Sequence, residues 1–228
     1  QFRQELCHLM RHCKTLNADA FFRLIHRAFD KVSNQHGDKK IIFYHAHNPD
    51  IYAKLKFSQC APNARWLLMV REPIQSCESW SKNEFENNNY MQIVMNIARM
   101  LYQVDDPIYR MSKSIGVRLE DLKENPERTI SSLCDWMGIT VQDSLYRMTA
   151  QGKKWWGDPS SPDYKHGMSP FGKSAIKRKL GSVFSENDQF ILRTLFYPFS
   201  VKFQYVNENH AQFERDLHTI RPMLDQLF

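Results

Sequence analysis

The chain has 228 residues, 42% of them apolar and 25% charged, a globular balance that excludes a disordered or low-complexity protein and suffices for one sizeable core. Its 31 Lys and Arg against 25 Asp and Glu leave a net charge of +6. With no arginine-rich run and no nucleic-acid module, that excess reads as a basic surface around one phosphate pocket, so no nucleic-acid partner is expected.

Helical spacing of apolar side chains from Phe2 to Lys31 predicts two helices broken near Asn17. His8 and His12 lie one helical turn apart, but no further ligand stands at metal-binding spacing, so they read as a solvated basic face. The five cysteines (Cys7, Cys13, Cys60, Cys77 and Cys134) lack Cys-x-x-Cys spacing, which argues against zinc. An odd number leaves one thiol free, which favours a cytoplasmic over a lumenal location. No apolar run approaches membrane-spanning length and no signal peptide is visible.

After a polar turn at 34–38, Ile41-Ile42-Phe43-Tyr44 reads as a short buried strand ending in His45-Ala46-His47-Asn48-Pro49. Two imidazoles at a strand end suit proton abstraction near neutrality. A short helix or turn follows from Ile51 to Asn63. Next, Trp66 to Val70 is uniformly apolar over five residues, as in the central strand of a parallel sheet. Pro73 suits the first turn of a helix, so the segment is strand, two-residue turn, helix, with Arg71 at the carboxyl end where open α/β sheets bind ligands. Arg71 and Ser79 together offer a guanidinium fork and a hydroxyl to one anion.

The helix fades at Asn87-Asn88-Asn89, and a long one follows in which Met91, Val94, Met95, Ala98, Leu101 and Tyr102 recur at core-packing spacing. Gly116 to Leu119 is a third strand candidate, running into Glu120-Asp121-Leu122-Lys123-Glu124-Asn125-Pro126 and a helix from Thr129 to Met137 stopped by Gly138. Residues 151–173 form a long loop with Trp155, Trp156 and Tyr164, and Lys173, Lys177, Arg178 and Lys179 make a basic cluster before Gly181. Ser185 with Asp188 predicts a helix cap opening Phe190 to Phe196, and a last helix spans about Glu208 to Leu227.

Three of these segments, in this order and spacing, resemble the sulfotransferases that use 3′-phosphoadenosine 5′-phosphosulfate (PAPS): His47-x-Pro49, Arg71-x-Pro73 with Ser79, and Glu120-Asp121-Leu122-Lys123-Glu124-Asn125-Pro126. The resemblance implies an α/β, P-loop-like sulfotransferase fold, a central parallel sheet flanked by helices, as a single domain over 1–228. It implies PAPS as co-substrate with no metal, and a small-molecule or glycan acceptor bearing a hydroxyl. His47 falls at the catalytic base and stands 24 residues before Arg71; His45 falls where the family has a lysine. Arg71 and Ser79 fall at the ligands of the 3′-phosphate, and Leu119 where a tyrosine lies near the adenine. Arg178 and Lys179, with Leu180 intervening before Gly181, resemble the family's Arg-Lys-Gly loop.

The family's Pro-Lys-x-Gly-Thr-Thr loop for the 5′-phosphosulfate matches no segment around the eight glycines. The chain opens on Gln1, so the first strand and this loop are expected upstream, and the piece is expected to be inactive alone. Other readings stay open: a non-catalytic nucleotide- or partner-binding module of the same fold; less favoured, a P-loop-type kinase, which would need a Walker lysine and a metal-binding acid; and third, a basic nucleic-acid binder, separable by the salt dependence of binding.

Overall fold

A computed structural model describes residues 1–33, 39, 41–46, 51–103, 107–110, 113–150, 153–154, 169–172, 176 and 180–224. Backbone contacts divide the chain into two compact units, Gln1–Ala64 and Arg65–Phe228. The protein is mixed α/β and mostly helical, with a small parallel sheet.

Among the described residues the first unit holds three helices: α1 (Phe2–Arg11), α2 (Ala18–Val32) and α3 (Ile51–Cys60). The break near Asn17 has a local cause, because the Asn17 side chain accepts the Ala20 N–H at 2.8 Å and caps α2. Leu9 of α1 packs against Leu24 and Ala28 of α2, with Leu6, Met10 and Cys13 around them. The expected strand at 41–44 is not formed: residues 41–46 have no regular secondary structure, and Phe43 is 71% exposed. A strand holds its shape through a ladder partner, and the described residues of this unit contain no other strand. Tyr44 instead meets Phe22 edge-on, with ring centroids 5.3 Å apart.

The second unit opens with the expected strand, turn and helix: β1 (Trp66–Val70), the pair Arg71-Glu72, then α4 (Pro73–Glu86) with proline in its first turn. α5 (Tyr90–Gln103) returns alongside α4, and β2 (Ser114–Arg118) pairs parallel to β1 in the register Trp66↔Ser114 to Val70↔Arg118. α6 (Leu119–Glu124) starts directly after β2. α7 (Pro126–Met137) begins at Pro126, three residues before the expected start, because proline occupies its first turn; Gly138 ends it in the left-handed conformation at φ 70°. Thr149–Ala150 (β3) and Lys153–Lys154 (β4) form a two-residue antiparallel ladder. The last helices are α8 (Glu186–Leu195), α9 (Tyr197–Lys202) and α10 (His210–Leu224). Ser185 and Asp188 form the expected capping box on α8.

The core of this unit joins Ile74 and Cys77 of α4, Ile93 of α5, and Phe184, Leu192 and Phe196. Here the reading of α5 is corrected. Ile93, Ile97, Met100 and Leu101 face the core, while Met91, Val94, Met95 and Tyr102 are exposed, Met91 by 72% and Tyr102 by 83%. α5 is apolar on two faces, both at helical spacing, and packing against α4 selects the one centred on Ile93. Among the described residues, two of the three expected parallel strands pair, and the central sheet does not extend beyond them.

Candidate functional site

The carboxyl end of β1 is held by a set of hydrogen bonds that local sequence only half reveals. Glu72 is the N-cap of α4, its carboxylate accepting the Gln75 N–H at 2.7 Å. The Arg71 guanidinium donates from Nη2 to the Gln75 side-chain oxygen at 3.2 Å. The backbone N–H of Glu72 donates to Glu120 Oε1 at 3.0 Å, and Glu120 Oε2 accepts the Tyr205 hydroxyl at 2.8 Å. Residue 120 therefore ties the end of β1 to the segment after α9.

Arg118, the last residue of β2, serves a different purpose. Its Nε and Nη2 both meet the Asp121 carboxylate at 2.7 Å, and its Nη1 donates to the Gln204 carbonyl at 2.8 Å. The guanidinium lies over the Tyr205 ring, 5.5 Å from its centroid. This arginine is a structural clamp whose charge is met by an acid.

Burial and hydrogen-bond donors together move the acids around the turn in opposite directions. Glu72 titrates above the usual carboxylate range, mainly because it is removed from water and partly because the Glu120 carboxylate lies nearby. Tyr205 is likewise pushed up by burial and by its bond to Glu120. For Glu78, burial raises the carboxyl, but donors outweigh it: the Ser182 hydroxyl at 2.6 Å, with the N–H groups of Gly181 at 3.1 Å and Ser182 at 2.7 Å, hold it below the ordinary value. Gly181 takes φ 100°, open to glycine, as the 181–182 turn closes on α4.

Arg71 lines a cleft of about 220 Å³ with Met69 and Val70 of β1, Pro73, Ser76 and Trp80 of α4, Met100 of α5, and Phe196 and Phe199. One cation and one hydroxyl among apolar and aromatic walls suit an anion carried on a flat or apolar body. A larger cavity of about 350 Å³ lies in the first unit between α2 and α3, walled by Phe21, Phe22, Ile25 and Phe57. It also holds a cation, Lys56, but together with the Asp19 carboxylate and without a hydroxyl, so the smaller cleft is the candidate site.

Of the residues singled out from sequence, Arg71 lines the cleft, while Ser79 lies partly buried on α4 and is not part of the lining; Ser76, one turn nearer the helix start, supplies the hydroxyl there. Leu119 is the first residue of α6 and partly buried. His45 belongs to the first unit and is exposed. His47, Arg178 and Lys179 lie outside the described residues. Sequence reasoning missed Gln75, Glu78 and Tyr205 and gave Glu120 no role beyond its place in the Glu120–Pro126 segment. An acid preceding Pro73 is a legible capping signal for Glu72, but nothing local marks Glu120 as the partner of a tyrosine 85 positions away.

Among the described residues no group of three or more His, Cys, Asp or Glu could hold a metal ion, and no helix is long and apolar enough to cross a membrane. No protein-family profile, curated protein or solved structure matches this chain.

Proposed function

We propose that this protein is a sulfotransferase, moving the sulfuryl group of PAPS to an acceptor hydroxyl. The observation that carries the reading is the position of Arg71: it leaves the carboxyl end of a parallel strand and lines, with the Ser76 hydroxyl, a cleft at the start of a 14-residue helix. Strand-end cations of this kind bind phosphate, and the three sequence segments that resemble the PAPS-dependent family supply the identity of the nucleotide.

In this reading His47 accepts the proton of the acceptor hydroxyl as its oxygen attacks sulfur in line. The bond from sulfur to the bridging oxygen breaks, and adenosine 3′,5′-bisphosphate leaves with the electron pair. Arg71 holds the 3′-phosphate with the Ser76 hydroxyl, which lines the cleft where Ser79 does not, and Arg178 and Lys179 are its further proposed ligands, with Leu119 against the adenine. The acceptor is a small molecule or glycan.

Calorimetry with adenosine 3′,5′-bisphosphate and with 5′-AMP tests the assignment. A charge-assisted hydrogen bond contributes roughly 1.5–3 kcal/mol, so Arg71→Ala should weaken the bisphosphate about 10- to 100-fold and 5′-AMP far less. Equal weakening of both ligands refutes the 3′-phosphate role. In a transfer assay with PAPS, His47→Ala should lower turnover by ~10²–10⁴-fold with nucleotide binding intact. Unchanged turnover removes His47 as the base. Nucleotide binding without transfer in the unaltered protein would favour the non-catalytic binding module.

A further inference from the structure

We infer that Gln75 is the positioning residue that orients the Arg71 guanidinium toward the cleft, and that Glu72, Glu120 and Tyr205 fix the helix start from which Gln75 acts. The phosphate consequence rests on the function proposed above; the orienting role rests on the hydrogen bonds alone. An arginine has four rotatable side-chain bonds and a planar fork of donors, so a two-point grip on phosphate depends on the plane being set before the anion arrives. Arg71 is partly buried and donates from Nη2 to Gln75 at 3.2 Å. Guanidinium nitrogens only donate, so the Gln75 atom facing it is the amide oxygen.

Gln75 is itself held at its backbone, where its N–H donates to Glu72 at 2.7 Å. The Glu72 N–H is in turn held by Glu120, and Glu120 by Tyr205. The linked bonds run from the segment after α9, through the start of α6, to the side chain that must meet the anion. The contrast with Arg118 is chemical. Asp121 meets that strand-end arginine with a carboxylate, whereas Gln75 meets the Arg71 guanidinium with a neutral amide oxygen. An amide at this position orients the cation without competing electrostatically for it.

Three variants test this: Gln75→Met, which keeps the length and loses the acceptor; Gln75→Glu, which keeps an acceptor and adds a charge; and Gln75→Met combined with Arg71→Ala. Gln75→Met should bind adenosine 3′,5′-bisphosphate about 5- to 10-fold more weakly, the scale of one neutral hydrogen bond, with 5′-AMP little changed and the melting temperature retained. Gln75→Glu should also lose bisphosphate affinity, because the added carboxylate competes with the ligand. In the double variant the Gln75 change should add nothing to the loss from Arg71→Ala.

A second measurement needs no ligand. The Arg71 Nε–H resonance, identified by its absence in Arg71→Ala, should show restricted side-chain motion in the unaltered protein and fast motion in Gln75→Met. An equally rigid Arg71 in Gln75→Met, or full additivity in the double variant, overturns the inference. If the unaltered protein fails to prefer the bisphosphate over 5′-AMP while Arg71 still loosens in Gln75→Met, the nucleotide assignment fails and the positioning role stands.

Discussion

A carboxylate taken out of water is unstable unless donors replace the hydration, and Glu78 meets that condition with three of them from Gly181 and Ser182. It is 5% exposed and titrates below the ordinary glutamate value despite its burial. A group whose folded pKa is depressed stabilises the fold above its unfolded pKa and loses that contribution as pH falls through the folded one. Glu78→Gln should therefore cost roughly 1.5–3 kcal/mol at pH 7, the scale of hydrogen bonds to a charge. The deficit should shrink once the pH drops below about 4, near the reference glutamate pKa. Urea unfolding of both proteins at pH 7 and at acid pH measures this, and a pH-independent deficit would show that charge is not what the 181–182 turn recognises. Glu72 behaves oppositely: burial raises its pKa, so its ionisation costs stability as pH climbs from the ordinary glutamate value to the raised one.

At the scale of elements, β2 depends on a residue with no side chain. A methyl group added to Gly116 would collide with the Phe203 ring, which lies just past α9. Phe203 also packs on Phe199, with centroids 4.7 Å apart, and is followed by Gln204 in the left-handed conformation and then by Tyr205. The ring cannot retreat without moving the segment that reaches Glu120. Gly116→Ala is expected to destabilise the protein by about 1–3 kcal/mol, as overpacking does. Combining it with Phe203→Leu should recover part of that loss, and strictly additive costs by denaturant titration would rule out the steric account.

Legibility divides along the same elements. The strand, turn and helix at 66–86 were readable because a uniform apolar run and a proline constrain the backbone within a few residues. The 41–44 segment carries an equally apolar run and forms no strand, since the run specifies burial tendency but not a ladder partner. α5 was recognised as a helix, yet its two apolar faces left the core side open until α4 packed against Ile93.

For the molecule as a whole, the five thiols report how far each region is shielded. Cys7 and Cys60 are exposed, Cys13 is half-buried, and Cys77 and Cys134 are buried, all without a disulfide. Cys77, 3.3 Å from the Met100 sulfur, is pushed up to about 12 by burial and by the nearby Glu72 carboxylate, so it carries negligible thiolate near neutral pH. A thiol reagent at pH 7.5 should modify Cys7 and Cys60 rapidly, Cys13 more slowly, and Cys77 and Cys134 only at the rate of unfolding. Mass spectrometry of the labelled chain checks the order. Rapid native-state labelling of Cys77 would mean that the α4–α5 core is open in solution.

Local chemistry in the chain by itself determined where helices start and stop: Asn17, Pro73, Gly138 and the Ser185–Asp188 pair act within one turn, through fixed dihedrals or a single capping bond. It also determined that an arginine would follow directly on β1. Only the tertiary structure decided that β2 is the strand beside it, that Ser76 shares its cleft, and that Glu120 and Tyr205 brace its turn. Those partners lie 48 and 85 positions apart, and hydrogen bonds at such separations leave no periodic trace in sequence because chain folding, not spacing, brings the groups together.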